Sequence, residues 1–295
     1  MKITYPNGTW PAYIEGVVIN ELNDKDIQKI GQLIVQRAVV VIKGPQNLSI
    51  EDEIGFARRI GTLNKFPKFN SYNKDSIKFD KFWNAIHRES PYIDSVTAEL
   101  NSDGLPGMHS MKDELGWHCD SPWNKNRTDI ISLYAVRGSA GSQTIYLNGA
   151  MAFADLTDEW KERARGLHLQ LDRSYRNYSK TGELFDIDTD FSSHVLEYNP
   201  RAVYTNKCGV ECLYVPFNQI LKFVELKDNP EENARVLTYF KQHLIQEKYQ
   251  YTHNWKDGDY LVWDNWNGLH YRPQFDAMEN RLLHRMQFNS DNIHF

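Results

Sequence analysis

Ile27, Ile30 and Ile34 recur at helical spacing just after Asn23 and Asp24, residue types that cap the free N–H groups of a first turn. A helix is predicted there. Ala38-Val39-Val40-Val41-Ile42 then runs without a polar break to Gly44-Pro45, the pattern of a buried strand followed by a chain break. Ser49 with Asp52 three residues on has the form of a capping box, and Ile54, Ala57 and Ile60 face inward from the helix it opens. Beyond residue 117 short apolar runs at 130–136, 144–147, 167–171, 202–205, 260–263 and 282–288 predict strands. Two stretches of helical character interrupt them, 150–165 and 218–247, the second broken near Asn229-Pro230. Many short strands with few helices predict a mainly β fold with flanking helices, as a sandwich or barrel of antiparallel strands. Segments 70–116 and 173–193 are expected to be long loops; inside a compact domain, loops of that length serve as lids or stay disordered.

The 295 residues contain no internal repeat, low-complexity tract or Pro/Gly/Ser-rich linker, and 1–295 is expected to be a single domain. With 41% apolar and 25% charged residues the chain is globular. Its formal net charge of −5 argues against a general nucleic-acid binder, which carries a basic face. No apolar run approaches the ~20 residues needed to cross a bilayer, and the first twenty residues lack the basic-then-apolar pattern of a secretory leader. The three cysteines, Cys119, Cys208 and Cys212, form no disulfide framework, and Cys208 with Cys212 lacks the second pair that a structural zinc requires. Reduced thiols and a cytoplasmic location are expected. A homo-oligomer is expected only on the general frequency of symmetric assemblies. Aromatic residues make up 13% of the chain, most of them core, with some available to line a ligand pocket.

The candidate chemistry begins at Gly116-Trp117-His118-Cys119-Asp120. In a strand, residues two apart share a face, so His118 and Asp120 present an imidazole and a carboxylate side by side while Cys119 points away. A distant second histidine would complete a 2-His-1-carboxylate triad, which leaves open positions on Fe(II). Alone the pair is weak, since His87-Arg88-Glu89 has the same form. The C-terminal segment adds weight. Trp255-Lys256-Asp257-Gly258-Asp259 turns into Tyr260-Leu261-Val262-Trp263-Asp264-Asn265, His270 follows, and Arg281 comes eleven residues later. His270 closes the triad, and an arginine fork can grip the far carboxylate of a dicarboxylate cosubstrate. Thr144 is a hydroxyl partner for the same carboxylate.

These segments resemble the taurine dioxygenase/TfdA family of Fe(II)- and 2-oxoglutarate-dependent oxygenases over most of the chain. The similarity rests on Val39-Val40-Val41-Ile42 with the following helix, on Trp117-His118-Cys119-Asp120, on Gly141-Ser142-Gln143-Thr144, on the helical stretch from Ala152, and on Trp263-Asp264-Asn265, His270 and Arg281. The resemblance implies a double-stranded β-helix, or cupin-like jelly roll. It implies His118, Asp120 and His270 as Fe(II) ligands and Thr144 and Arg281 as 2-oxoglutarate contacts. With O2 as the third reactant, it implies release of succinate and CO2 and hydroxylation or desaturation of a small molecule. Asp120 stands against halogenation, since related halogenases carry Gly or Ala there.

Arg285 lies four residues after Arg281 and faces the same way in a strand. The resemblance makes it a substrate contact and the substrate a small anion, amino-acid-like or a sulfonate; a structural ion pair is the alternative. Trp123 follows the metal motif and is the second expected substrate contact. Trp117, Trp263 and Trp266 are assigned to packing, and His284, between the two arginines, to the opposite face. Competing readings are a jelly-roll binding protein without activity, an oxygenase acting on a macromolecule, and a zinc hydrolase on the same ligands. The last lacks a glutamate base beside the histidines.

Overall fold

Asn23 and Ser49 open the two N-terminal helices. The Asn23 side chain accepts the Asp26 N–H, and Ser49 and Asp52 form a reciprocal capping box. A computed structural model describes residues 1–6, 8–65, 90–97, 99, 114–122, 128–171, 198–275 and 280–295. Its helices are α1 (Asp24–Arg37), α2 (Ile50–Ile60), α3 (Gly149–Ala154), α4 (Asp158–Arg165) and α5 (Pro230–Leu244). Its first strands are β1 (Lys2–Thr4), β2 (Ala12–Glu15), β3 (Val39–Ile42), β4 (Asp94–Thr97), β5 (Leu115–His118), β6 (Ile130–Arg137) and β7 (Gln143–Leu147). Next come β8 (Leu169–Leu171), β9 (Val203–Thr205), β10 (Glu211–Leu213) and β11 (Ile220–Phe223). The last four are β12 (Gln250–Asn254), β13 (Tyr260–Asp264), β14 (His270–Arg272) and β15 (Leu282–Phe288).

Two sheets carry the fold. The larger runs β1-β2-β3-β13-β6-β15-β4, antiparallel except where β2 meets β3, and the smaller runs β12-β7-β14-β5. The larger sheet is covered on both faces. On one, Val40, Ile42, Ile130, Val262, Met286 and Phe288 pack against Ile27, Ile30 and Ile34 of α1 and Phe56 and Ile60 of α2. On the other, Val39, Val41, Ile131, Leu261 and Leu283 pack against Tyr146, Tyr251 and Trp255 from the smaller sheet and the turn after it. Coverage of both faces explains why β3 is a continuous apolar run rather than an alternating one. A third apolar cluster, with Phe153, Leu156, Val236 and Phe240, seals the outer face of the smaller sheet from the side of α3, α4 and α5. The result is the expected mainly β jelly roll with flanking helices.

Three expectations are corrected. The helix predicted over 150–165 is two helices, because Thr157 leaves helical geometry and caps a new start by accepting the Trp160 N–H. The helix predicted over 218–247 begins only at Pro230. The fixed φ of proline suits the first helical position, and Asn229 caps it by accepting the Glu232 N–H. Residues 220–223 instead form β11, paired with β8, so tertiary pairing decides a short apolar run that fits either period. The expected loop 70–116 contains a core strand: β4 pairs with β15 and all four of its residues are buried. The rest of that segment that is described is Ser90–Ile93, Glu99 and 114–116, the last including the start of β5, and segment 173–193 lies outside the described residues.

Candidate metal and cosubstrate site

The site lies between the two sheets. β5 and β14 are antiparallel neighbours, and their register sets His118 directly opposite His270. The ring centroids are 4.0 Å apart. Asp120 follows β5 and brings Oδ1 to 4.0 Å from His118 Nε2 and 3.9 Å from His270 Nε2. One ligand atom from each residue lies within 4.8 Å of the others, and among the described residues this is the one group of three such side chains able to hold a metal ion. The His118 Nδ1 is 2.6 Å from the Gly116 carbonyl. A carbonyl only accepts, so Nδ1 carries the proton and Nε2 presents its lone pair to the common centre. Burial is the largest influence on His118 and lowers its pKa, which also favours the neutral ligand form.

Asp120 is half-buried, and loss of solvent by itself would raise its pKa. Arg285, then His270 and His118, outweigh that and hold the carboxyl well below the usual carboxylate range. Arg285 Nη2 donates to Asp120 Oδ2 at 2.5 Å and Nε to the same oxygen at 3.2 Å. The opposite edge of the guanidinium, Nη1, lies 3.7 Å from Oδ2 of the buried Asp94 on β4. The arginine expected to meet substrate is therefore packed between two carboxylates, one of them in the triad.

The backbone of the His-x-Asp segment is clamped by two amides. Gln219 Oε1 accepts the Cys119 N–H and its Nε2 donates to the Cys119 carbonyl. Asn265 does the same for Asp120, at 3.1 Å in both directions. Sequence reading assigned neither role. Asn265 stood in the quoted Trp263-Asp264-Asn265 motif, whereas Gln219 is a hundred positions from its partner in a stretch read as helix. Cys119 faces away from the triad as expected, with Sγ 3.0 Å from the Tyr214 hydroxyl.

Ser142 lies just before β7 and Thr144 within it, and both are buried. Ser142 Oγ donates to the Ser139 carbonyl and accepts Arg281 Nε at 3.3 Å. Thr144 Oγ1 accepts the indole N–H of Trp255 at 2.9 Å. Arg281 is buried, with its guanidinium 4.8 Å from the Phe275 ring centroid. Among the described residues no carboxylate pairs with it. Burial, then the charge of Arg272, push its pKa down to about 9. A buried cation without a counter-charge is costly, and a ligand carboxylate would relieve that cost. His284 points to the other face, 2.6 Å from the buried Glu53 of α2. Trp123 and His87-Arg88-Glu89 lie outside the described residues.

The model of the taurine catabolism dioxygenase TauD, TfdA family matches residues 4–287. The chain belongs to that family. Relatives within it are distant. The chain is 25% identical to the α-ketoglutarate-dependent 2,4-dichlorophenoxyacetate dioxygenase of Burkholderia sp. (strain RASC), over 90% of this chain and 86% of that one. It is 21% identical to pentalenolactone F synthase of Streptomyces arenae, over 97% and 94%. Among solved structures, AAD-2 in complex with Mn(II) and N-oxalylglycine superposes with a TM-score of 0.71 at 18% identity, covering 97% of this chain and 96% of that one. At such identity the structural likeness establishes the fold, and membership of the family makes the chain a dioxygenase. Among the described residues no helix is long and apolar enough to cross a membrane.

Proposed function

We propose that this chain is an Fe(II)- and 2-oxoglutarate-dependent dioxygenase that hydroxylates or desaturates a small anionic substrate. The observation that carries this reading is the three-donor cluster of His118, Asp120 and His270, with Arg281 buried nearby and lacking a carboxylate partner among the described residues. Two imidazoles and one carboxylate suit Fe(II) and leave coordination positions open. The donor set is turned inward by the Gly116 carbonyl and by Arg285, so it fits a divalent cation without rearrangement of its tautomer or charge. Bound together, Fe(II), 2-oxoglutarate and O2 supply a two-electron oxidation of the substrate, with release of succinate and CO2.

The protein's part is binding and orientation. Arg281 and Thr144 hold the distal carboxylate of 2-oxoglutarate, and Ser142 fixes the guanidinium that does so. Arg285 keeps Asp120 ionised and orients its free oxygen. Arg272, Arg281 and Arg285 gather around the site, and these basic side chains support an anionic substrate. Arg285 serves it through the charge it adds to the site, and Trp123 remains the other proposed substrate contact. The acidic balance of the chain supports a small molecule rather than nucleic acid, and the free cysteines support a reducing cytoplasmic setting.

An anaerobic titration tests the reading. Fe(II) followed by 2-oxoglutarate should produce a weak visible charge-transfer band that requires both additions. The band should vanish in His118→Ala and need more 2-oxoglutarate in Arg281→Ala. Absence of bound iron and of any band in the wild-type protein would leave a jelly-roll binding protein instead.

A further inference from the structure

Six tyrosines are buried among the described residues: Tyr134, Tyr146, Tyr214, Tyr249, Tyr251 and Tyr260. Five have a bonded hydroxyl. Tyr134 donates to the Gln46 carbonyl, Tyr214 meets Cys119 Sγ, Tyr249 donates to Asp155, Tyr251 meets His253 and Tyr13, and Tyr260 donates to Ser132. Tyr146 is the exception. Its side chain is 1% exposed, yet its hydroxyl oxygen has no hydrogen-bond partner. An unmade hydrogen bond at a buried hydroxyl is destabilising, and phenylalanine would fill the same space without that cost. The hydroxyl therefore has a use outside the packing of the free protein.

Its position indicates the use. Ser142, just before β7, and Thr144 and Tyr146 within it are spaced two apart, a row of three hydroxyl side chains. Ser142 holds Arg281, Thr144 is held by Trp255, and Tyr146 is the cross-strand partner of His270. The Tyr146 ring stacks against His270 with centroids 6.2 Å apart and planes 24° apart, and it lies 5.4 Å from Trp263. Tyr146 thus stands between the proposed carboxylate contacts and the proposed metal ligands, with a phenol proton to donate.

We propose that Tyr146 is a third binding residue for the cosubstrate, its hydroxyl donating a hydrogen bond to the 2-oxoglutarate carboxylate that Arg281 and Thr144 hold. This rests on the functional reading above. The hydroxyl is unpartnered in the free protein because its acceptor arrives with the ligand.

The test is Tyr146→Phe in the full chain loaded with Mn(II), a redox-quiet substitute for Fe(II). Calorimetric titration with 2-oxoglutarate and with N-oxalylglycine should show about tenfold weaker binding of both than in wild type, the scale of one hydrogen bond to a charged acceptor. Mn(II) affinity should be unchanged, and the ligand-free variant should melt no lower than wild type. Cosubstrate affinities within twofold of wild type would overturn the assignment while leaving the functional reading intact. A lower melting point of the ligand-free variant would also overturn it, since the hydroxyl would then be bonded in the free protein. If wild-type protein with Mn(II) bound neither ligand, the functional reading itself would fail and the assignment with it.

Discussion

His118 and His270 are direct cross-strand partners on β5 and β14, so one β-pair register places both imidazoles of the triad. Opposed side chains on antiparallel neighbours stand about 4.5–5.5 Å apart at Cβ, close enough for two ligands to meet one ion. Because the strands are held by their backbone ladder, removing one ring should empty the metal site without unfolding the sheet. His118→Ala is expected to lower Mn(II) affinity by more than the roughly 10–100-fold typical of a lost supporting contact. Its melting temperature in the absence of metal should stay within a few degrees of wild type. Equilibrium dialysis and thermal melts would check both. Unchanged metal binding would remove His118 from the site.

Asn265 supports the third ligand through the backbone. It accepts the Asp120 N–H and donates to the Asp120 and Thr128 carbonyls, so Asn265→Ala strips both hydrogen bonds from the backbone of a proposed metal ligand. Mn(II) affinity is expected to fall about 10–100-fold, and folding stability by about 1–3 kcal/mol for the buried groups left unpaired. A Mn(II) titration followed by electron spin resonance and a urea melt would measure the two effects separately. Loss of stability with intact metal affinity would show that Asp120 needs no such support.

Local patterns made part of the site legible in the sequence, and long-range pairings hid the rest. His118, Asp120 and His270 could be found because strand alternation fixes which way i and i+2 point and because a second histidine stood in a distinctive segment. Arg281 and Thr144 were named from the resemblance of their segments to the family's motifs, and their place as cosubstrate contacts is part of the proposed function. Gln219 could not be found, since its double hydrogen bond to Cys119 depends on a pairing between parts of the chain a hundred residues apart. Asp94 was hidden for a similar reason: nothing in Asp94-Ser95-Val96-Thr97 announces a core strand until β15 is there to pair with it. The helices at 24–37 and 50–60 were readable because their caps are local, within three residues. Residues 220–223 were not, because β11 exists only through β8.

Arg281 gives a pH dependence. In the free protein its pKa is pushed down to about 9 by burial and by Arg272. A bound carboxylate stabilises the cation and raises that value again. The complex then holds a proton that the free protein releases as pH rises through about 9, so the dissociation constant for 2-oxoglutarate should climb with pH above that point. The limit is about tenfold per unit by linkage, and affinity should be flat with respect to this group between about pH 7 and 8. Titrations with 2-oxoglutarate on the Mn(II)-loaded protein at pH 7.5, 9 and 10 would follow it. Arg281→Met should remove most affinity at every pH, together with the rise. A rise that survived in Arg281→Met would have to come from another group.

Two glycines should respond in opposite directions to the same change. Gly268 sits just before His270 where the chain crosses the end of β7, and a Cβ there would lie 1.8 Å from the Leu147 carbonyl oxygen. That oxygen belongs to a backbone held close by the Leu147 N–H donating to the Leu269 carbonyl at 2.8 Å, so it has little room to withdraw. Gly268→Ala must part β7 from β14 and is expected to cost about 3 kcal/mol or more, weakening Mn(II) binding because His270 moves with the strand. Gly55 lies inside α2 with nothing within 4 Å of the corresponding position. Gly55→Ala there only restricts the unfolded chain and improves helix propensity, and should stabilise by about 0.5–1 kcal/mol with metal affinity unchanged. Denaturant melts of the two variants beside Mn(II) titrations would show the contrast. Wild-type stability and metal binding in Gly268→Ala would mean that the close approach of β7 and β14 does not govern the placement of His270.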